Sequence, residues 1–429
     1  MTVQPVAIDA VEMPCQNPPL VPEKTAAKRE VADRLWLAAM VLVLAGGCFL
    51  RVYSSAAFQG LGFDEGLYRG YVNALINGGL TAYPDIVDHY IEVQRTLVGS
   101  ILPPMRFLYI FAAYLWHLAF RTEALRSLHQ VASCFSVLTL LLATAFGWRL
   151  KGRNFALGTG ALMACAPTQL HVSQHALVDG FFTFWALLAL WLLWENLQSP
   201  GKWELQVGYL LSLCLLVLTK ENSFFVWCSL VTLIVTNRWL GFGKVSRELV
   251  LATVVGPLLG VVILVFLSGG LSTLITSYQL SVSKNFQLPY AILTGDGPWH
   301  RYLVDLLLVS PVILLLAIGA VFRLHRSQKP ELFMIIFIGL SYLIMCNLRY
   351  GMNLRYANMW DMPLRVLALS QLIVVFGFAR AWRQHLIVLA VAAICAVELH
   401  QYLVLCIRYP LYELVTEGLL RALHILKLP

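Results

Sequence analysis

Long apolar runs divided by short polar stretches dominate this chain. They fall at about 35–53, 128–147, 154–170, 180–194, 205–219, 222–237, 248–268, 302–322, 331–347, 363–379 and 385–406. Each approaches the roughly 20 residues that a helix needs to cross a bilayer, so the pattern predicts an all-α, polytopic membrane protein of about eleven transmembrane helices. One further run, 105–120, follows Pro103-Pro104, a pair suited to a helix start. Whether it crosses decides the sidedness of everything beyond it.

Basic residues decide the orientation. If the N-terminus, with Lys24, Lys28, Arg29 and Arg34, is cytoplasmic and 105–120 does not cross, four basic clusters fall in short cytoplasmic loops. These are Arg149/Lys151/Arg153, Arg238/Lys244/Arg247, Arg323/Arg326/Lys329 and Arg380/Arg383. If 105–120 crosses, all four lie outside. The first arrangement is adopted, with 105–120 a surface or re-entrant helix on the outer side. The outer face then receives the long loops 54–127 and 269–301, the first carrying juxtamembrane helices, and the shorter polar loops 171–179 and 348–362. Residues 1–34, with five prolines in the first 22 positions, read as a disordered cytoplasmic tail. Residues 35–406 form the membrane domain. Residues 407–429 read as a short amphipathic tail through Leu411, Leu414, Val415, Leu419, Leu423 and Leu426.

Composition agrees with the hydropathy pattern. Of 429 residues 59% are hydrophobic and 13% charged, against about a quarter charged in soluble domains. The formal charge of +8 is explained by cytoplasmic Lys and Arg and by sites for anionic lipid groups, so no nucleic-acid partner is inferred. The nine cysteines show no CxxC spacing and lie mostly in apolar runs, as packing residues do.

The candidate chemistry gathers on the predicted outer face. Gly62-Phe63-Asp64-Glu65-Gly66-Leu67-Tyr68 sets two carboxylates where the first span should emerge. On spacing alone Asp64 is either the N-cap of the following helix or a base for an acceptor hydroxyl. In the second outer loop, Asp179 is likewise a cap candidate, and His171 and His175 stand four residues apart. Lys220-Glu221-Asn222 lies between two apolar runs with almost no loop, as a self-paired Lys and Glu or as a cation for a lipid phosphate. Arg301, in Gly297-Pro298-Trp299-His300-Arg301-Tyr302, and Arg349 and Arg355, in the echoed Asn-Leu-Arg-Tyr motifs ending at Tyr350 and Tyr356, lie where the charge rule disfavours Arg. Guanidinium groups fit phosphate well. No cofactor is certain; a divalent metal stays open, with His89 and Glu92 as a weak pair. Glu398, inside the last span, has no assigned role.

These motifs, in this order and on this side, resemble the GT-C class of integral-membrane glycosyltransferases. The specific likeness is to the protein O-mannosyltransferase and aminoarabinose transferase superfamily, over about residues 49–369. The carriers are Phe63-Asp64-Glu65-Gly66-Leu67-Tyr68, Leu102-Pro103-Pro104-Met105, Arg149-Leu150-Lys151-Gly152-Arg153, His175-Ala176-Leu177-Val178-Asp179, Leu218-Thr219-Lys220, Gly297-Pro298-Trp299-His300-Arg301-Tyr302-Leu303 and Asn353-Leu354-Arg355-Tyr356. The resemblance implies a polyprenyl-phosphate-linked sugar donor. It implies Asp64 as catalytic base, assisted by Glu65 and Asp179, and Lys220, Arg301, Arg349 and Arg355 as phosphate holders, with Tyr356 and His175 beside the substrate. It also implies a surface helix at 105–120. Ile101-Leu102 replaces the His or Lys that members of the family often carry before the Pro-Pro pair. The expected function is inverting sugar transfer to an acceptor hydroxyl, on protein, lipid or glycan, at the periplasmic or exterior face of the cell membrane. The alternative is a transporter or flippase of lipid-linked solutes, which would need charged residues continuing through the membrane interior.

Overall fold

The computed structural model describes residues 23–53, 61–285, 287, 297–348 and 352–426. Arg349, Tyr350, Gly295 and Asp296 lie outside the described residues, as does 1–22 of the predicted N-terminal tail. Two compact units divide between Leu42 and Val43. The first is described from Glu23 onward, within the helix Glu23–Val52. Everything that follows concerns the second.

Eighteen α-helices and no strand occur among the described residues. Seven helices are long and apolar enough to cross a membrane: Glu30–Val52, Ala124–Lys151, Val178–Gln198, Ser223–Leu240, Arg247–Leu267, Leu354–Phe378 and Arg383–Arg408. The other four predicted runs differ in detail. Run 154–170 is split into Arg153–Ala164 and Pro167–Ser173, and run 302–322 into Arg301–Val309 and Pro311–Val321. A proline opens the second half each time, where its fixed backbone angle and missing N–H suit the first helical turn. The remaining two, Trp203–Thr219 and Lys329–Met345, are unbroken helices of 17 residues. Helix Phe107–Phe120 has 14 residues and rises about 21 Å, too short for a hydrocarbon core of about 30 Å.

The break after Ala164 leaves helix-end carbonyls without partners. The buried Arg51 guanidinium donates to Met163 O at 2.7 Å and Ala164 O at 3.1 Å there, and to Gly47 O of its own helix at 2.9 Å. Elsewhere small residues let helices touch: a Cβ on Gly256 would stand 2.8 Å from Leu210 O, and one on Gly260 2.7 Å from Cys214 O. This spacing of glycines four apart brings Arg247–Leu267 against Trp203–Thr219, as in close membrane-helix contacts.

Two apolar clusters frame the site. One includes Phe146, Leu190, Phe333 and Trp360. The other, built on Tyr68, Val72, Tyr83, Tyr109 and Phe181, packs helices Phe63–Gly78, Tyr83–Thr96 and Phe107–Phe120 together. Beyond the turn Leu403–Arg408, the described part of the C-terminal tail is helical over Thr416–Ala422, with Leu414, Leu419 and Ala422 buried in the first cluster.

Glu398 acquires a role. Arg365 donates to Glu398 Oε2 at 2.5 Å, to Asp361 Oδ1 at 2.9 Å and, from Nε, to Leu162 O at 3.0 Å. Ser310 Oγ also donates to Glu398, at 3.0 Å, and Thr168 and Gln169 donate to Asp361 Oδ2 at 2.5 and 2.8 Å. Every nitrogen of the buried guanidinium is engaged, which is what a desolvated charge requires. The group ties helices Asp361–Val375, Arg383–Tyr402 and Pro167–Ser173 together.

Candidate functional site

Asp64 does not cap the helix of the acidic turn. Helix Phe63–Gly78 is capped by Gly62, whose backbone N–H donates to Glu65 Oε2 at 2.8 Å. Glu65 at the third helical position thus does the capping-box work, and Asp64 is free of it. The N-cap reading of Asp64 is corrected accordingly. Asp179 is not a cap either, since Leu177 takes that position for helix Val178–Gln198.

Asp64 is instead turned onto a guanidinium. Arg355, buried in the 3₁₀ turn Leu354–Trp360, donates from Nη2 to Asp64 Oδ2 at 2.6 Å. The same guanidinium has Asp179 Oδ2 3.7 Å from Nε and Glu413 Oε1 3.4 Å from Nη1. Neither contact is a hydrogen bond: Nε and Nη1 are buried and lack a hydrogen-bond partner among the described residues. Lys220 Nζ donates to Asp179 Oδ1 at 2.5 Å and stands 4.0 Å from the centre of the Tyr356 ring. Tyr356 Oη accepts from Arg355 Nη2 at 3.4 Å. Three carboxylates and two cations from five separate stretches therefore share one small volume.

The second carboxylate of the turn serves its neighbours. Glu65 Oε1 accepts from Ala176 N at 2.8 Å and lies 3.4 Å from His175 Nδ1. Burial opposes its ionisation, but His175 and the Gly62 and Ala176 N–H groups outweigh it, and the carboxyl is held below its ordinary value. Burial, against the pull of Glu65, keeps His175 below its ordinary value and so neutral. His175 also meets the His171 ring at a tilt, 4.5 Å between centroids, and the Tyr412 ring edge-on at 5.1 Å. A folded-state value below the unfolded 4.5 means that Glu65 contributes stability above pH 4.5, lost as pH falls through the folded value. Thermal unfolding between about pH 6 and pH 3 should show this acid loss in the wild type and a smaller one in Glu65→Gln.

Lys220 and Glu221 do not pair with each other. Glu221 takes both Arg106 Nε at 3.2 Å and Nη2 at 2.5 Å, while Arg106 Nη1 donates to Tyr68 Oη at 2.8 Å. Burial opposes ionisation of Glu221, yet Arg106 holds its carboxyl down at about 2. This bidentate clamp joins the start of the short helix Phe107–Phe120 to the Lys220 turn. Burial draws Lys220 below its ordinary value against the attraction of Asp179.

Arg301 is buried at the start of helix Arg301–Val309, and no ion pair joins it to the cluster among the described residues. His89 and Glu92 are exposed on helix Tyr83–Thr96. No group of three or more His, Cys, Asp or Glu placed to hold a metal occurs among the described residues. Sequence reasoning missed Arg106, Tyr412 and Glu413. Arg106 adjoins the Pro-Pro-Met stretch that was singled out, and Glu413 is one of two acids within an apolar tail broken by Pro410.

Asp179 and Glu195 lie near opposite ends of helix Val178–Gln198, about 24 Å apart at 1.5 Å per residue. At the Glu195 end Arg149 Nη2 donates to Glu195 Oε2 at 2.7 Å, and Lys151 pairs with Glu331. The Arg149/Lys151 cluster and Asp179 are thus separated along helix Val178–Gln198.

The chain is a polytopic, all-α membrane protein with the GT-C fold. It is similar to the oligosaccharyltransferase of Archaeoglobus fulgidus in its apo form, with a TM-score of 0.60 and 14% identity, over 86% of this chain and 55% of that one. The archaeal oligosaccharyltransferase AglB from the same organism, in complex with an inhibitory peptide and a dolichol-phosphate, gives 0.57 and 14% over 86% and 56%. Apo ArnT from Cupriavidus metallidurans gives 0.53 and 16% over 91% and 76%. The chain therefore spans little more than half the length of the oligosaccharyltransferase. No protein-family model and no curated protein matches it.

Proposed function

We propose that the protein transfers a sugar from a polyprenyl-phosphate donor to an acceptor hydroxyl at the outer face of the membrane, with inversion at the anomeric carbon. The observation that carries this reading is the Arg355 guanidinium, buried with two hydrogen-bonding edges unfilled, beside Lys220 and facing Asp64. Unfilled N–H groups in a dry site are costly unless a ligand completes them, and each guanidinium N–H makes a strong charge-assisted bond to a phosphate oxygen. The fold shared with lipid-dependent glycosyltransferases supports the same reading.

In this mechanism Lys220 and Arg355 hold the phosphodiester. As the C1–O bond breaks, its electron pair passes to the phosphate oxygen, and the two cations stabilise the charge that develops there. Asp64 takes the proton from the acceptor hydroxyl as that oxygen bonds to C1 from the opposite face. The products are the glycosylated acceptor and free polyprenyl phosphate. Asp64 accepts a hydrogen bond from Arg355 Nη2, which engages one of its carboxylate oxygens. A phosphate that takes over the guanidinium frees Asp64 to act as base, so donor binding arms the site.

The transporter alternative draws support from the charged residues in the interior. Against it, Arg365, Asp361 and Glu398 are buried, with Arg365 hydrogen-bonded to both carboxylates, a strut and not a wet path. The two readings diverge in one assay. Purified protein incubated with a polyprenyl-phosphate sugar should release free polyprenyl phosphate, with release speeded by an acceptor. Movement of the intact donor across a vesicle membrane without release would favour transport.

A further inference from the structure

The C-terminal segment reaches the centre of the site. Leu354 N donates to Leu414 O at 3.1 Å, Thr416 Oγ1 to Asp305 Oδ1 at 2.6 Å, and Tyr412 O lies 3.2 Å from His171 Nε2. These bonds hold the backbone of 412–416 beside the 3₁₀ turn that carries Arg355. They place Glu413 against Arg355 Nη1, while Asn353 Nδ2 donates to the other Glu413 oxygen.

Glu413 is the loosest member of the charge cluster. Its contact with Arg355 is 3.4 Å and makes no hydrogen bond to Nη1, whereas Asp64 is bonded at 2.6 Å. Its side chain is 18% exposed and that of Asp64 17%, against 4%, 3% and 1% for Arg355, Asp179 and Lys220. Solvent therefore reaches the cluster past Asp64 and Glu413, and the Arg355 edge that faces Glu413 is one of the two left unfilled. A single carboxylate charge there occupies the position that one phosphodiester charge would take.

We infer that Glu413 is a donor-site residue that stands in for the donor phosphate on Arg355 Nη1, and that donor entry exchanges its carboxylate for the phosphodiester. The inference rests on the reading of Lys220 and Arg355 as the phosphate holders. Exchange requires only rotation of the Glu413 side chain, since the backbone on both sides is pinned and Asn353 keeps the displaced carboxylate hydrogen-bonded. Glu413 thereby sets donor affinity: its carboxylate lies beside Arg355 Nη1 and competes with every phosphate that enters.

The test is binding of farnesyl phosphate to the full-length purified protein, with farnesol and inorganic phosphate as parallel probes. Wild type should bind farnesyl phosphate in preference to both, and Lys220→Met should weaken that binding. Glu413→Gln, which removes the competing charge and keeps the shape, should tighten it by about fivefold, the worth of one partly exposed ion pair. Glu413→Asp, with a shorter reach and the charge retained, should fall between. Thermal unfolding of each variant verifies the fold, and Glu413→Asp carries the test if Glu413→Gln unfolds. Binding by the Glu413 variants that is unchanged or weaker, while Lys220→Met still weakens it, overturns the role of Glu413 and leaves the phosphate site standing. Equal binding of farnesyl phosphate and farnesol by wild type overturns both.

Discussion

Asp64→Asn should cut single-turnover sugar transfer by about a hundredfold to ten-thousandfold, the usual worth of a general base, while the protein still folds and binds polyprenyl phosphate. The substitution is isosteric, and Asn can still accept the hydrogen bond from Arg355 Nη2 at 2.6 Å. Glu413 and Asp179 remain beside the guanidinium to balance its charge. Gly62 and Glu65 provide the helix cap, so loss of the Asp64 charge does not remove it. What disappears is the group that can receive the acceptor proton. Full turnover by Asp64→Asn would remove Asp64 from the chemistry.

The second large effect is expected at Lys220. Its ammonium is buried between Asp179 and the face of Tyr356, a compact arrangement suited to Lys and not to a planar guanidinium. Lys220→Met should lower kcat/KM for the donor by about a hundredfold to a thousandfold, as loss of a preorganised charge at a developing anion does. Lys220→Arg should not restore it. The single substitution also strands Asp179, whose other cation is 3.7 Å away. An uncompensated buried charge costs about 3–5 kcal/mol, so the Lys220→Met variant should unfold at lower temperature. The double variant Lys220→Met/Asp179→Asn should recover the unfolding temperature and not the activity. Recovery of both would make Lys220 a structural partner of Asp179 alone.

Much of the bundle was legible because membrane helices announce themselves through local composition. All eleven predicted runs fall on helices, and the prolines that split two of them are visible in the sequence as Pro167 and Pro311. The short helix Phe107–Phe120 was legible as an apolar run that begins after Pro103-Pro104. The candidate list also held four residues that the fold brings together: Asp64, Asp179, Lys220 and Arg355.

Their pairing was not legible. Asp64 and Arg355 are 291 positions apart, and no periodicity links them. Lys220 and Glu221 look like a pair because they are adjacent, yet consecutive residues at a turn point in different directions, one to Asp179 and the other to Arg106. Glu413 was hidden by the hydrophobic spacing around it, which reads as a surface helix when the bundle that covers Leu414 and Leu419 is not in view. Glu398 had no role until Arg365 and Ser310 were seen beside it. Cap residues misled for a related reason: an acid at the start of a helix has several places to bond, and tertiary contacts decide which one it takes.

The most direct measurement is an experimental structure of the protein in lipid with a bound polyprenyl phosphate. The phosphorus should lie between Lys220 Nζ and the Nη1 edge of Arg355, with Asp64 facing the open side where C1 of a sugar would project. Phosphate density elsewhere, at Arg301 for example, with the Lys220 and Arg355 pairs intact, would contradict the proposed site.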